Sequence, residues 1–185
     1  DIADRIKPES VDVIITDPPY SKEYLSLYET LAKLADRVLK PGGSLLVMTG
    51  QYYLPEVIKL IIPHINYHWT LSYLTPGGQS PQIWPRRVNT FWKPVLWFVK
   101  GKYTGKWIGD VAKSAVNDND KRFHKWGQSE SGIAELIEKF SEPGDVILDP
   151  FLGGGTTAVV ALRLGRKFIG ADIDKKAINT TEVRV

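Results

Sequence analysis

The sequence has no cysteine, one methionine (Met48) and three histidines (His64, His68 and His124) in 185 residues. Without thiols there is no disulfide framework and no thiolate metal site. Attack on a pyrimidine ring through a cysteine nucleophile is excluded as well. Three scattered histidines argue against a histidine-rich metal centre, so no metal is expected. No run approaches the roughly 20 apolar residues that a membrane-spanning helix needs. No basic-then-apolar leader opens the chain either, so no membrane partner and a cytoplasmic setting are expected. The first residue is Asp1 and the lone methionine is internal, from which N-terminal trimming is expected.

What is present reads as one soluble domain, residues 1–185, with enough chain for a substantial core. Its 43% hydrophobic and 24% charged residues are ordinary for such a domain. The net charge of +3 hides an asymmetry. Between Pro76 and Lys125 ten Lys/Arg face three Asp, a balance of +7, while the remainder carries 14 basic and 18 acidic residues, or −4. Trp84, Trp92, Trp97 and Trp107 lie in that segment and Trp126 directly follows it. Cations mixed with aromatics suit a surface that neutralises a phosphate backbone and stacks on bases. A solvated excursion with a few core tryptophans is the plainer reading.

Alternating strand and helix patterns predict a parallel sheet covered on both faces. Strands are expected at 11–16, 44–49, 68–74, 94–100, 146–148 and 167–171, with 94–100 antiparallel to its predecessor. Helices are expected over 24–39, 55–62, 133–140 and 157–164, and from 175 onward. Lys40-Pro41-Gly42-Gly43 is expected to stop the first of these helices. Residues 76–87 are rich in Gly and Pro and read as a loop. Residues 101–127 show no clear period and are expected to be the mobile part.

Two strand ends carry unusual loops. The run Val146-Ile147-Leu148 opens into Asp149-Pro150-Phe151-Leu152-Gly153-Gly154-Gly155-Thr156-Thr157. Strand, glycine loop and helix N-terminus together present backbone N–H groups and the helix dipole to a polar ligand. The next strand ends at Asp172, about the spacing at which a carboxylate takes ribose hydroxyls in dinucleotide-binding folds. There is no G-x-G-x-x-G and no lysine to grip a phosphate, so a nucleoside without pyrophosphate fits better than NAD or ATP. A tight structural turn, with Asp172 as a helix cap, is the alternative.

The other loop is Asp17-Pro18-Pro19-Tyr20, directly behind Val11–Thr16. Consecutive prolines lack N–H donors and leave carbonyls free to face a cleft. A carboxylate beside such a carbonyl offers two acceptors to the hydrogens of an –NH₂ group. A base amino nitrogen is a poor nucleophile because its lone pair is delocalised into the ring. Fixed acceptors favour the tetrahedral geometry that it reaches as a bond forms. Tyr20 would stack on a base that has left the duplex. A proline-rich turn with Tyr20 packed locally is the plainer reading.

At these residues the chain resembles the amino-group DNA methyltransferases, which modify N6 of adenine or N4 of cytosine. The tetrapeptide precedes the cofactor loop, the permuted order of the family's beta group. The resemblance implies a doubly wound α/β fold: a mostly parallel, seven-stranded Rossmann-like sheet with one antiparallel strand. It implies S-adenosylmethionine as cofactor and DNA as partner, in the setting of restriction-modification, with a homodimer compatible. Asp17, Pro18, Pro19 and Tyr20 would be catalytic. Asp149, Phe151, Gly153, Gly155, Thr156, Thr157, Asp172 and Ile173 would line the cofactor, with Gln128 and Ser129 toward its methionine part. The stretch His124–Ser129 departs from the commoner His-Pro-Thr-Gln-Lys-Pro wording, and Asp1 would match an acidic residue near the cofactor's adenine. Residues 76–127 fall where target recognition lies, and Lys22, Arg86, Arg87 and Lys93 are the expected DNA contacts. Asp at position 17 points to adenine, since N4-cytosine enzymes more often carry Ser there. Cytosine N4 or an RNA base as acceptor, and a non-catalytic nucleic-acid-binding module, are the competing expectations.

Overall fold

The computed structural model describes residues 2–77, 81–116, 118 and 128–185. The expectations for Asp1 and for the basic and aromatic side chains between 119 and 127 lie outside the described residues. Along the chain come α1 (Ile2–Arg5), β1 (Val11–Thr16), α2 (Ser26–Val38), β2 (Leu39–Met48), α3 (Leu54–Ile61), β3 (Asn66–Leu74), β4 (Gln82–Ile83), β5 (Val88–Asn89) and β6 (Lys93–Val99). They are followed by β7 (Val111–Lys113), α4 (Glu130–Phe140), β8 (Val146–Asp149), α5 (Thr156–Arg163), β9 (Lys167–Gly170) and α6 (Lys175–Arg184).

Among the described residues seven strands form one sheet in the order β7-β3-β6-β2-β1-β8-β9. β1 pairs in parallel with β2 and β8, β8 with β9, and β3 with β7. β6 alone runs the other way, wedged between β3 and β2. The result is the expected doubly wound, mostly parallel sheet with one antiparallel strand.

Period-two alternation explains why both faces are apolar. Ile14, Leu45, Val47, Leu96, Phe98 and Leu148 turn toward α2 and α3. Val13, Ile15, Leu46, Met48, Val95, Trp97 and Ile147 turn toward α4 and α5. Strands buried on both sides need near-continuous apolar runs, as parallel sheets generally do. Phe98 and Leu45 are wholly buried, and each such side chain contributes about 1.5–3 kcal/mol by leaving water.

Three expectations need correction. α2 ends at Val38 as expected, but the following Pro41-Gly42-Gly43 lies inside β2. There it makes a register shift against β1, between the pairs Val11↔Leu39 and Val13↔Ser44. Gly42 takes φ +82°, and a Cβ on Gly43 would sit 2.9 Å from the Lys40 carbonyl oxygen. The glycines therefore build a bulge within the strand. Second, residues 76–87 are more than loop, because β4 and β5 close a short hairpin with Gln82↔Asn89 and Ile83↔Val88 opposed. Third, the described residues of 101–127 include packed and paired ones: β7 extends the sheet, Ala112 is buried, and Tyr103 and Ile108 pack on the second core. A three-residue edge strand is too short to show a period.

Candidate active site

The chain steps from β1 to β2 on one side and from β8 to β9 on the other. β1 and β8 therefore flank the topological switch point, where open α/β sheets bind ligands beyond the strands' carboxyl ends. The tetrapeptide leaves β1 at that edge and the glycine loop leaves β8 beside it. A direct bond joins the two exits: the Thr16 hydroxyl donates to Asp149 at 2.8 Å. Two motifs 132 residues apart, at Asp17 and Asp149, thus leave adjacent strands at the same edge of the sheet.

Asp149 is the buried hinge of this edge. It is 4% exposed and also accepts from the Thr157 hydroxyl at 2.8 Å and the Phe151 N–H at 3.1 Å. Burial pushes its carboxyl up to about 6 against the pull of those hydrogen bonds. Its oxygens serve the protein, so Asp149, like the buried Thr157, acts by positioning the start of α5. Gly153 and Gly155 have φ +52° and +76°, a region that favours glycine. At Gly155 a Cβ would also collide with the Thr181 hydroxyl oxygen, so α6 closes down on the loop. From the same helix, Arg184 donates to the Gly154 carbonyl. Thr156 is buried in the first turn of α5, and Phe151 is half-buried.

Asp172 stands next to this loop and accepts from the Gly153 N–H and the Asp174 N–H, both at 2.9 Å. A carboxylate has about four acceptor positions, so each oxygen retains capacity for a ligand hydroxyl. The helix-capping role goes to Asp174, which accepts from the Lys176 N–H at 2.8 Å. Ile173 projects fully into solvent beside it. A half-buried carboxylate, an exposed aliphatic side chain and two positive-φ glycines fit a nucleoside cofactor: hydroxyls on Asp172, a ring face on Ile173, and backbone approach at the glycines.

At the other motif, Asp17 is enclosed by donors. Tyr20 donates its hydroxyl to one carboxylate oxygen. Gln128 donates to the other, and the Lys93 ammonium lies 3.3 Å from that same oxygen. Lys93 also reaches the Gln128 side-chain oxygen at 3.4 Å and sits 5.4 Å from the Tyr20 ring centroid. Burial, then the Asp17 charge, raises the Tyr20 phenol well above its ordinary value, so Tyr20 is a neutral hydrogen-bond donor. Behind the loop, the Tyr28 hydroxyl meets the Pro19 carbonyl at 3.5 Å and Thr49 at 3.2 Å. Burial carries the Tyr28 phenol up to about 12. Pro18 is buried and Pro19 exposed, so the turn is held from below and open above.

The remaining sequence candidates divide. Gln128 meets Asp17, and Ser129 is 3% exposed and caps α4, accepting from the Gly132 N–H at 3.0 Å and contacting the Tyr73 hydroxyl. Lys93 is at Asp17 itself. Lys22 is exposed on the turn after the tetrapeptide, and Arg86 and Arg87 are exposed on the β4–β5 hairpin. Sequence reasoning missed Thr16, Tyr28, Thr49 and Arg184. Thr16 directly precedes the tetrapeptide at the end of a buried strand, which was an available signal for a polar contact across the sheet. Among the described residues no group of three acidic, His or Cys side chains can hold a metal, and no helix is long and apolar enough to cross a membrane.

The Type II methyltransferase M.BglII of Bacillus subtilis is 26% identical, over 94% of this chain and 63% of that protein. M2.LlaDCHI of Lactococcus lactis subsp. cremoris, also a Type II methyltransferase, is 26% identical over 100% of this chain and 85% of its own length. The chain thus spans less than two thirds of the first of these relatives. The fold matches that of the PvuII DNA methyltransferase (cytosine-N4-specific), with TM-score 0.83 at 20% identity over 98% of this chain and 82% of that one. It also matches M1.HpyAVI in its SAM complex, with TM-score 0.80 at 23% identity over 99% and 91%. A family model described as DNA methylase, of the N6/N4 type, matches residues 11–183, and the chain accordingly belongs to the N6/N4 DNA methylase family.

Proposed function

We propose that this chain transfers a methyl group from S-adenosylmethionine to the exocyclic N6 amino group of adenine in DNA, on a base turned out of the duplex. The observation that carries the reading is the Thr16–Asp149 bond, which joins the exits of the tetrapeptide and the glycine loop on adjacent parallel strands. When bound, S-adenosylmethionine would supply an electrophilic sulfonium methyl group, its C–S bond breaking as the bond to nitrogen forms and the electron pair staying on sulfur. Asp172, Ile173 and the loop from Phe151 to Gly155 would hold it, with Thr156, Thr157 and Asp149 shaping the helix start beneath.

The chain's own residues prepare the acceptor. Asp17 accepts an amino N–H of the base, holding the nitrogen lone pair toward the crevice as the nitrogen becomes tetrahedral. Three of its roughly four acceptor positions are engaged by Tyr20, Gln128 and Lys93. An incoming amino group takes the remaining position or displaces one of these donors. As the new bond forms, nitrogen gains positive charge, and its surplus proton leaves along the hydrogen bond to Asp17. Tyr20 and the exposed Pro19 offer the flat surface against which a flipped base rests. Residues 76–127 supply the recognition surface, with Lys22, Arg86 and Arg87 toward phosphates.

The test is nucleoside mass spectrometry of unmethylated DNA incubated with the chain and methyl-labelled S-adenosylmethionine. Labelled N6-methyldeoxyadenosine is expected. Label solely in N4-methyldeoxycytidine moves the acceptor to cytosine, and no labelled nucleoside overturns the enzymatic reading in favour of a binding module.

A further inference from the structure

The β4–β5 hairpin carries an apolar tip that the chemistry described above does not use. Trp84 is 79% exposed, at the start of the turn Trp84–Arg86 that joins the two strands. Pro85 stiffens that turn, and Arg87 closes it at φ +53°, a left-handed conformation uncommon outside glycine. Such backbone concentrates at functional sites. Isolated exposed apolar side chains are ordinary, but this one projects from a rigid turn that also holds a proline and two arginines. Phe91, on the second leg, is 74% exposed.

The hairpin is fixed relative to the catalytic loop. Its legs are joined by the Thr90 N–H donating to the Pro81 carbonyl at 3.0 Å. Gln51 donates to the Trp92 carbonyl at 3.2 Å, and the Arg86 guanidinium lies 5.1 Å from the Tyr52 ring centroid. The second leg runs straight into Lys93, whose ammonium touches Asp17. The hairpin therefore stands at the sheet edge where the tetrapeptide opens, Lys93 following Arg87 by six positions.

A base withdrawn from a duplex leaves a gap and loses its stacking, and apolar wedges inserted between base steps are a recurrent solution. We propose that the Trp84–Arg87 tip is such a wedge: the Trp84 indole stacks in the gap left by the target base, and Arg87 holds an adjacent phosphate. The partner is duplex DNA, because the exposed ring is followed, after Pro85, by the exposed cations Arg86 and Arg87, in a stretch with no Asp or Glu between Pro76 and Gly109. The inference rests on the DNA-methylating reading and adds to it a group that acts on extrusion of the base.

The test compares kcat/KM of the wild type, W84A and W84F on two synthetic duplexes carrying the methylated site located by sequencing the modified DNA. One duplex has the target base paired, and in the other it is mispaired. On the paired duplex W84A is expected to lose about tenfold, the size of one base–aromatic stack. W84F, which retains a ring, should stay within about threefold of the wild type. On the mispaired duplex the W84A loss should shrink to about threefold or less, because extruding a mispaired base costs less. Thermal unfolding of both variants should match the wild type, as the side chain is exposed. Equal losses on both duplexes, or none on either, overturn the wedge. If the wild type methylates the paired duplex and W84A equals it, the wedge alone falls; if the wild type methylates no DNA, the functional reading falls and takes the wedge with it.

Discussion

Asp149→Asn isolates one buried carboxylate whose effect on stability should change with pH. In the folded chain the group is 4% exposed and bridges Thr16 on β1 to Thr157 on α5. Burial lifts its carboxyl from 3.8 to about 6. The folded state therefore holds this proton more tightly than the unfolded chain does. Stability from the group is complete below about pH 4 and is lost as pH rises through about 6. A shift of about two units, at about 1.4 kcal/mol each, makes the loss on the order of 3 kcal/mol. Asparagine has no proton to release. Its amide oxygen still accepts from Thr16 and the Phe151 N–H, while the Thr157 hydroxyl turns to accept from the amide nitrogen. The unfolding free energy of wild type minus variant is therefore expected to fall by about 2–3 kcal/mol from about pH 4 to about pH 8. Urea unfolding of both proteins across that range measures it, and subtraction cancels the carboxylates that they share. A flat difference, or one that grows with pH, refutes the description of Asp149 as a carboxyl whose burial outweighs its hydrogen bonds.

Further predictions concern the site. Asp17→Ala should abolish methyl transfer yet leave S-adenosylmethionine affinity, read by calorimetry, within a few-fold; surviving transfer contradicts the role given to the tetrapeptide. Asp172→Ala should weaken cofactor binding by at least about tenfold, as expected when a charged acceptor is withdrawn from its hydroxyl partners, and unchanged affinity removes it from the cofactor site. Replacing Arg86 and Arg87 together by Gln should lower the salt dependence of DNA binding by about one unit of slope for each phosphate no longer neutralised. An unaltered slope means that the hairpin does not touch the DNA backbone.

The parts of the fold legible in the sequence are those where burial imposes a run. β1, β2, β6 and β8 are covered on both faces, so their apolar residues are contiguous and their ends fall where polar motifs begin. β3 starts two residues before its expected position, because Asn66 and Tyr67 pair with Val99 and Phe98 of β6, a contact that no local pattern records. β4, β5 and β7 are two or three residues long. They exist through pairing with a neighbour, which no local pattern records. The Pro41-Gly42-Gly43 bulge shows the converse: strong local stop signals are overridden because β2 keeps pairing with β1 on either side of the irregular residues.

The candidate site divides along the same physical line. Motifs that act through their own backbone, the two prolines and the glycine loop, announce themselves by composition, since few other residues take those conformations. Side chains that act by meeting a distant partner do not. Lys93 reads in the sequence as a DNA contact, yet β6 enters the sheet antiparallel to β2 and delivers its first residue to the carboxyl edge, where Asp17 waits. Gln128 arrives from 111 residues downstream. Because Lys93, Gln128 and Tyr20 converge on one carboxylate, their contributions to base binding should be coupled. In a double-mutant cycle, the combined effect of Lys93→Met and Gln128→Ala on DNA methylation should differ from the product of their separate effects, since both donors meet the same Asp17 oxygen and the loss of either changes what the other does there. Strictly multiplicative effects would mean that the two donors act independently of the carboxylate they share.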